Sequence, residues 1–503
     1  SALDLLGHLA LGFSVALTPV NLLYALIGVV LGTLIGVLPG IGPVATIAML
    51  LPITFNLPPT PALIMLAGIY YGASYGGSTT AILVNLPGES SSVVTMLDGY
   101  RMGRQGRAGP ALAIAAIGSF FAGCAGTVLI ALFGPPLAEL AFEFGAAEYF
   151  SMMALGLISA VVLASGSLVK AIGMIFIGLL MGIVGTDVNS GIARYSFGVS
   201  ELSDGIGFVS VAMGMFGFGE IISNLEQSAI DRHTAVSKVG SLMPSWIDLK
   251  MSFGPIMRGT AIGTIFGILP GAHTVIASFS SYTMEKKLAK DPTRFGKGAI
   301  EGVAGPESAN NAAAQTSFIP LLTLGIPTGA VMALMVGAMT IQGIAPGPQV
   351  MTQKPDLFWG MIASMWVGNL MLVILNLPLI GMWVQFLKIP YRLLFPGICL
   401  FCCIGAYSVN NASFDVFIVA MYGAFGYYCS KWGCEPAPLI LGFVLGPLME
   451  ENLRRAMLIS RGDATVFFTR PISLGMLLVA FALLIMVVVP QFRKKRAEVI
   501  TEA

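Results

Sequence analysis

Charge is what this chain has least of. Lys, Arg, Asp and Glu make up 10% of its 503 residues, against about 25% in a soluble domain, which excludes a water-facing globule. A net charge of +1 gives no reason to expect nucleic acid as a partner. Long polar intervals are missing too: the longest, near Glu226–Lys250 and Glu285–Glu307, are loop-sized and hide no soluble domain. Cysteine is sparse, six in all. Cys399 and Cys402 are spaced like half a metal site, but no second pair with an adjacent His follows. With Cys124, Cys403, Cys429 and Cys434 they lie in or beside apolar segments and read as small buried hydrophobes. Ser1-Ala2-Leu3 opens without a basic stretch or a small-residue cleavage site, so no cleavable leader is expected there.

What the chain has is apolar length. Hydrophobic residues are 56% of it, and runs of about 20 residues, enough to cross a bilayer, recur from Asn21 to Pro490. They number on the order of ten to twelve, some interrupted, which predicts an all-α polytopic membrane protein. The 61 Gly and 27 Met suit close helix packing and adaptable apolar surfaces.

One stretch occurs twice. Gly32-Thr33-Leu34-Ile35-Gly36-Val37-Leu38-Pro39-Gly40 returns as Gly263-Thr264-Ile265-Phe266-Gly267-Ile268-Leu269-Pro270-Gly271, identical at six of nine positions. Each copy is an apolar helical run with Gly four residues apart, then Leu-Pro-Gly, then a second apolar run. Pro removes a backbone donor and Gly permits positive φ, so each copy predicts a helix broken inside the apolar layer. Such a break survives only where protein or a wet cavity satisfies its backbone.

The flanks predict how the two copies are oriented. Residues 1–20 suit an interfacial helix, with Asp4 and His8 among apolar residues. A first repeat, 21–225, opens with a hairpin, 21–55. The helix Ala62–Asn85 follows, with Tyr70–Thr80 at its centre, a polar, Gly-rich interruption expected to unwind toward the protein interior. Pro87–Gly109, with Arg101, Arg104 and Arg107, is placed in the cytoplasm by its Arg excess, and the acidic intervals around Glu139–Glu148 and Asp187–Asp204 outside. A cytoplasmic connection, 226–250, leads to a second repeat, 251–449, whose hairpin, 256–284, is flanked by basic residues on both sides. The two hairpins then dip in from opposite faces: two re-entrant hairpins in an inverted repeat. A last segment, 450–503, carries a helix and the basic run Arg493–Arg496, which places the C-terminus in the cytoplasm.

The motifs Gly36-Val-Leu-Pro-Gly-Ile-Gly-Pro43, Gly68-Ile-Tyr-Tyr-Gly-Ala-Ser-Tyr-Gly-Gly-Ser78, Asn85-Leu-Pro-Gly88, Asp98-Gly-Tyr100, Pro306-Glu-Ser-Ala-Asn-Asn-Ala312 and Gly325-Ile-Pro-Thr328 span about three quarters of the chain. In their order they resemble the large membrane subunit of the bacterial tripartite tricarboxylate transporter family. The resemblance implies an inner-membrane carrier driven by a sodium or proton gradient, with no other cofactor. It also implies two partners, a small membrane subunit and a soluble periplasmic solute-binding protein that captures a carboxylate.

An anionic substrate must be held where cationic side chains are expensive, and Lys and Arg are almost absent near the repeated motifs. Broken helices offer free amides with partial positive charge, and the carbonyls beside them can hold a cation. The substrate is therefore expected on Gly40, Ile41, Gly42, Ser78, Thr79 and Thr80 in one half and on Asn310, Asn311 and Thr328 in the other. Sodium, if used, is expected near Gly40, Asn85, Gly271 and Pro327. The plainer alternative is that these small polar residues only pack helices. Glu307 reads either as a proton or cation site or as a helix cap, Glu220 as an interfacial carboxylate, and Asp98 with Arg101 as ordering the cytoplasmic loop. Gly72-Ala73-Ser74-Tyr75-Gly76 also matches the G-x-S-x-G pattern, so an intramembrane serine hydrolase using Ser74 and His273 competes with secondary transport, as does a channel or scaffold subunit. The pattern is short for so Gly-rich a chain, and transport, not enzymology, is the preferred reading.

Overall fold

The computed structural model describes residues 2–38, 42–85, 90–163, 167–228, 236–269, 274–387, 391–489 and 494. The chain is an all-α polytopic membrane protein. Pro19–Val37, Gly103–Ala141, Pro355–Asn376 and Pro471–Val488 are each long and apolar enough to cross a bilayer, and shorter apolar helices accompany them. The strands among the described residues, Gly185–Thr186 and Ala193–Arg194, form a two-residue antiparallel ladder. Proline opens many of the helices, at Pro19, Pro43, Pro59, Pro355, Pro436 and Pro471, where its missing N–H costs nothing.

Helix Ala108–Ala141, about 51 Å long at 1.5 Å per residue, defines two ends of the molecule. At its start Arg107 pairs with Asp248, and just past its finish Glu148 pairs with Arg470. The first end also holds Asp98, which is buried and accepts the backbone N–H groups of Gly296, Gly298 and Ala299 at 2.8, 2.9 and 3.0 Å. Asp98 thus orders a loop, but one belonging to the other half of the chain. The opposite end holds an ionic group in which Arg194 and Arg454 reach Glu450, at 2.7 and 2.8 Å, and Arg454 reaches Asp187 at 2.7 Å.

The duplicated stretch forms the first arm of a helix pair in each half. Pro19–Val37 lies parallel to Pro59–Val84. A Cβ on Gly28, Gly32 or Gly36 would fall 2.4, 2.6 and 2.4 Å from the carbonyl oxygens of Met65, Ile69 and Ala73, so the two backbones touch with no space for a side chain. Trp246–Ile268 lies parallel to Glu301–Thr316 in the same way, with Gly259, Gly263 and Gly267 against Gly305, Ala309 and Ala313 at 2.3, 2.1 and 2.5 Å. Glycine at every fourth residue is the requirement of that contact, because it puts the bare positions on one helix face. In each pair the second arm, Pro43–Thr54 or Thr274–Leu288, runs back toward the starting end. Arg258 and Glu285 close the base of the second pair with two hydrogen bonds of 2.8 Å.

The two pairs enter from opposite ends. Pro59–Val84 finishes at the Asp98 end, where Ile82 meets Gly99 and Gly103, whereas Glu301–Thr316 starts there, with Gly302 against Asp98. Each first arm runs parallel to its partner helix, so the arms run oppositely to each other. Gly36 reaches the level of Ala73 and Gly77, and Gly267 that of Ala313 and Thr316.

Two expectations are corrected. Tyr70–Thr80 does not unwind: Pro59–Val84 is a continuous helix of 26 residues, buried from Pro61 onward save half-buried Tyr70. Its glycines serve the close seam rather than a break, since Cβ atoms on Gly68, Gly72 and Gly76 would meet the backbone of Gly28, Val29 and Thr33. The second hairpin is longer than 256–284, with arms Trp246–Ile268 and Thr274–Leu288. A capping box at Ser245, whose hydroxyl accepts the Asp248 N–H while the Asp248 carboxylate accepts the Ser245 N–H, begins the helix ten residues early.

Candidate functional site

Between the two hairpins the partner helices Pro59–Val84 and Glu301–Thr316 meet each other, and their contact is polar. Ser78 Oγ donates to Glu307 Oε2 at 2.6 Å, and Thr95 Oγ1 donates to Glu307 Oε1. Glu307, Ser78 and Thr95 are all buried. Glu307 lies in the middle of its helix, so it is not the cap that its position before Ser308–Ala314 suggested. One turn further along, Asn311 Nδ2 donates to Ser119 Oγ at 2.7 Å and to the Glu307 carbonyl at 2.9 Å. Asn311 Oδ1 is buried without a partner among the described residues.

The polar seam continues toward the opposite end. Tyr75 donates its hydroxyl to Asn369 Oδ1 at 2.9 Å, and Asn369 Nδ2 donates to Gln315 Oε1 at 3.3 Å and to the Met365 carbonyl at 2.7 Å. Gln315 Nε2 is a second buried group with no partner among the described residues. An unmet buried donor or acceptor costs about 1–3 kcal/mol. Beside the seam a small cavity lined by Tyr75, Ser78, Thr79, Ala116, Ser119 and Asn376 has about 10 Å³ of room for the centre of a water, one water's worth. A tricarboxylate does not fit there without a movement of the surrounding helices. At the first end a wider cleft of 390 Å³ opens beside the second hairpin's base, with Arg258, Glu285, Lys290 and Arg294 on its walls.

The two halves tie hairpin to partner helix alike. Thr80 Oγ1 donates to the Val37 carbonyl at 2.5 Å, and Thr316 Oγ1 to the Thr264 carbonyl at 3.2 Å. Both partner segments also end in a left-handed residue, Asn85 at φ 56° and Gly325 at φ 73°, where Asn and Gly are the tolerant choices.

Of the residues expected at the site, Ser78, Thr79, Thr80, Asn310 and Asn311 are buried on these two helices, and Ser78, Thr79 and Asn311 lie along the seam. Gly42 caps Pro43–Thr54, its carbonyl accepting the Thr46 N–H at 3.2 Å. Thr328 and Pro327 follow the helix Phe318–Leu324 toward the opposite end, while Asn85 closes Pro59–Val84 at the first end, so the structure does not bring these together. Gly40, Ile41, Gly271 and His273 lie outside the described residues. Ser74 is buried, and its carbonyl accepts the Ser78 hydroxyl at 3.1 Å. Thr95, Ser119, Gln315 and Asn369 were not singled out from the sequence. Asn369 had a readable signal, one of two amides, with Asn376, in the apolar helix Pro355–Asn376.

Comparison with known proteins shows the family to which the sequence is similar. The model of the tripartite tricarboxylate transporter TctA family matches residues 22–441. An Agrobacterium vitis protein, an uncharacterized 52.8 kDa protein in the TAR-I ttuC′ 3′ region, is 60% identical over 500 residues, 99% of each chain. A second from the same organism, an uncharacterized protein in the TAR-II ttuC′ 3′ region, is 63% identical over 240 residues, covering 48% of this chain and 99% of its own. No solved structure matches.

Proposed function

The chain belongs to the tripartite tricarboxylate transporter TctA family, and on that premise we propose that it imports a di- or tricarboxylate such as citrate across the bacterial inner membrane by sodium or proton symport. It works as the large membrane subunit, beside a small membrane subunit and a periplasmic solute-binding protein that delivers the substrate. The C-terminus and the Asp98 end face the cytoplasm, in keeping with the basic runs Arg101–Arg107, Lys286–Lys297 and Arg493–Arg496.

The observation that carries this reading is the meeting of two oppositely inserted helix pairs at one buried polar seam. Opposed repeats with a site between them are the architecture of alternating access. Carboxylate oxygens are bound by amide and hydroxyl donors, Gln315 and Thr79 among them, and access alternates as hairpin-bearing elements move against the rest in an elevator-like stroke. The one-water cavity supports a moving element, because the seam has to open before it admits substrate.

Uptake into proteoliposomes holding all three subunits tests the reading, with a panel of labelled di- and tricarboxylates and an imposed sodium or pH gradient. Gradient-dependent accumulation of a panel member is expected, and absence of uptake across the panel refutes it. A crosslink between a hairpin arm and Ala108–Ala141 should stop transport. Undiminished uptake by the crosslinked protein rules out the moving element.

A further inference from the structure

A carboxylic acid buried inside a membrane protein has two ways to exist, ionised with donors around it or neutral with an acceptor for its proton. At Glu307 both are built. Ser78 Oγ stands 2.6 Å from Glu307 Oε2 and 3.1 Å from the Ser74 carbonyl, yet it has one proton to give. When Glu307 is ionised, that proton points at Oε2 and Thr95 donates to Oε1. When Glu307 is protonated on Oε2, its own O–H donates to Ser78 Oγ, and the Ser78 proton turns to the Ser74 carbonyl. Passing between the two states takes one hydroxyl rotation and one added proton, with no heavy atom displaced.

We propose that Glu307 is a proton-binding site that loads and unloads during each transport cycle, with Ser78 as the positioning hydroxyl that makes both states satisfied. The proposal rests on the reading of the seam as the carboxylate path. An anionic substrate and an ionised Glu307 repel each other in a low dielectric, so the seam accepts substrate readily when Glu307 is neutral. A proton taken up with the substrate and released with it on the other side is symport.

The titratable and charged groups on the elements packed against the Glu307 helix include Tyr75, Asp98, Tyr282, Arg258 and Glu285. Tyr75 gives its hydroxyl to Asn369, Asp98 accepts three backbone N–H groups, and Glu285 is bound by Arg258. Tyr282 stands near Asp98, a turn or more toward the first end. These groups have partners of their own in the folded protein, whereas the Ser78 hydroxyl is shared between two acceptors.

The test uses the three-subunit complex in weakly buffered vesicles with no sodium gradient and a carboxylate that the wild type transports. A pH dye outside reads proton uptake with substrate, and label reads both accumulation and exchange at equal pH on the two sides. Wild type is expected to take up protons with substrate. Glu307→Gln, fixed in the neutral state, should lose accumulation by about tenfold or more while keeping exchange within about threefold and insensitive to pH. Glu307→Asp should retain proton-driven accumulation. Ser78→Ala should shift the pH midpoint of exchange by about one unit, and Ser78→Thr should restore it. Wild-type transport without proton movement overturns the inference whatever the variants do and leaves the proposed carboxylate transport standing. Undiminished accumulation by Glu307→Gln overturns it too. A wild type that moves no carboxylate takes both readings down.

Discussion

The two hairpins share a sequence and a seam but are held in place by different forces. Pro43–Thr54, the return arm of the first, lies in the main apolar core with Ile47, Ala48 and Leu51 fully buried, and Gln342 Nε2 donates to the Thr54 carbonyl at its base. Thr274–Leu288, the return arm of the second, contributes Ala277 to a small cluster with Ala309 and Ala313, and its base is closed by Arg258, Glu285 and the Ser245 capping box. The first hairpin leaves its place only if the core opens. The second hairpin's return arm has little apolar core around it and adds polar contacts at its base to the glycine seam of its first arm. A repeated motif therefore conserves the contact it needs, glycine against backbone, without conserving the energetics around it.

The seam is where the halves are alike, and breaking it has the largest effect. Gly36→Leu and Gly263→Leu each drive a side chain into a carbonyl oxygen that cannot move away, so each should cost more than about 3 kcal/mol and remove most folded protein, read as monodisperse yield in detergent. Tolerance of one and not the other would show that only one seam is closed. Next comes the first hairpin's apolar hold: Leu51→Ala should cost about 2–4 kcal/mol in a thermal or denaturant melt. The second hairpin's ionic hold is smaller. Glu285 is buried, but Arg258 is 42% exposed and solvent screens the pair, so Arg258→Ala should cost about 1–2 kcal/mol, partly recovered when Glu285→Ala is added. A larger loss for Arg258→Ala than for Leu51→Ala would reverse the comparison.

The smallest effect lies outside both hairpins and serves as their control. Arg454, with the Asn189 N–H and the Ser190 hydroxyl, holds Asp187 down to about 2 from an ordinary 3.8. The lowered carboxyl stabilises the loop around Gly185–Thr186 fully above its ordinary value, and that contribution disappears as pH falls through about 2. Pepsin cleavage of this loop should rise over that window in wild type and be raised beforehand in Arg454→Ala, with the hairpins unaffected.

Much of the framework was legible because it follows from backbone chemistry. Gly at every fourth residue before Leu-Pro-Gly predicts a close-packed helix that stops, and basic flanks predict the end from which each hairpin comes. Tyr70–Thr80 was misread because Gly and hydroxyl residues mark both a broken helix and a tightly packed one. What distinguishes them is whether a second backbone lies against the glycines, and here one does. The partners of Glu307 were illegible: Ser78 and Thr95 are 229 and 212 residues away in the chain, in segments with no pattern that points at a carboxylate. Asn369 and Gln315 lie 54 residues apart, and nothing local paired them.

That the chain is helical, dwells in lipid and carries one device twice in opposed orientation follows from residues near one another in the chain, since hydropathy, glycine spacing and flanking charge act within a few turns of the backbone. Packing between distant segments set which polar side chains share a seam, kept the first partner helix unbroken and put a buried carboxyl against a hydroxyl with two acceptors. Those are matters of which distant surfaces touch, and helices packed through bare glycine bring side chains together by the shape of the whole bundle.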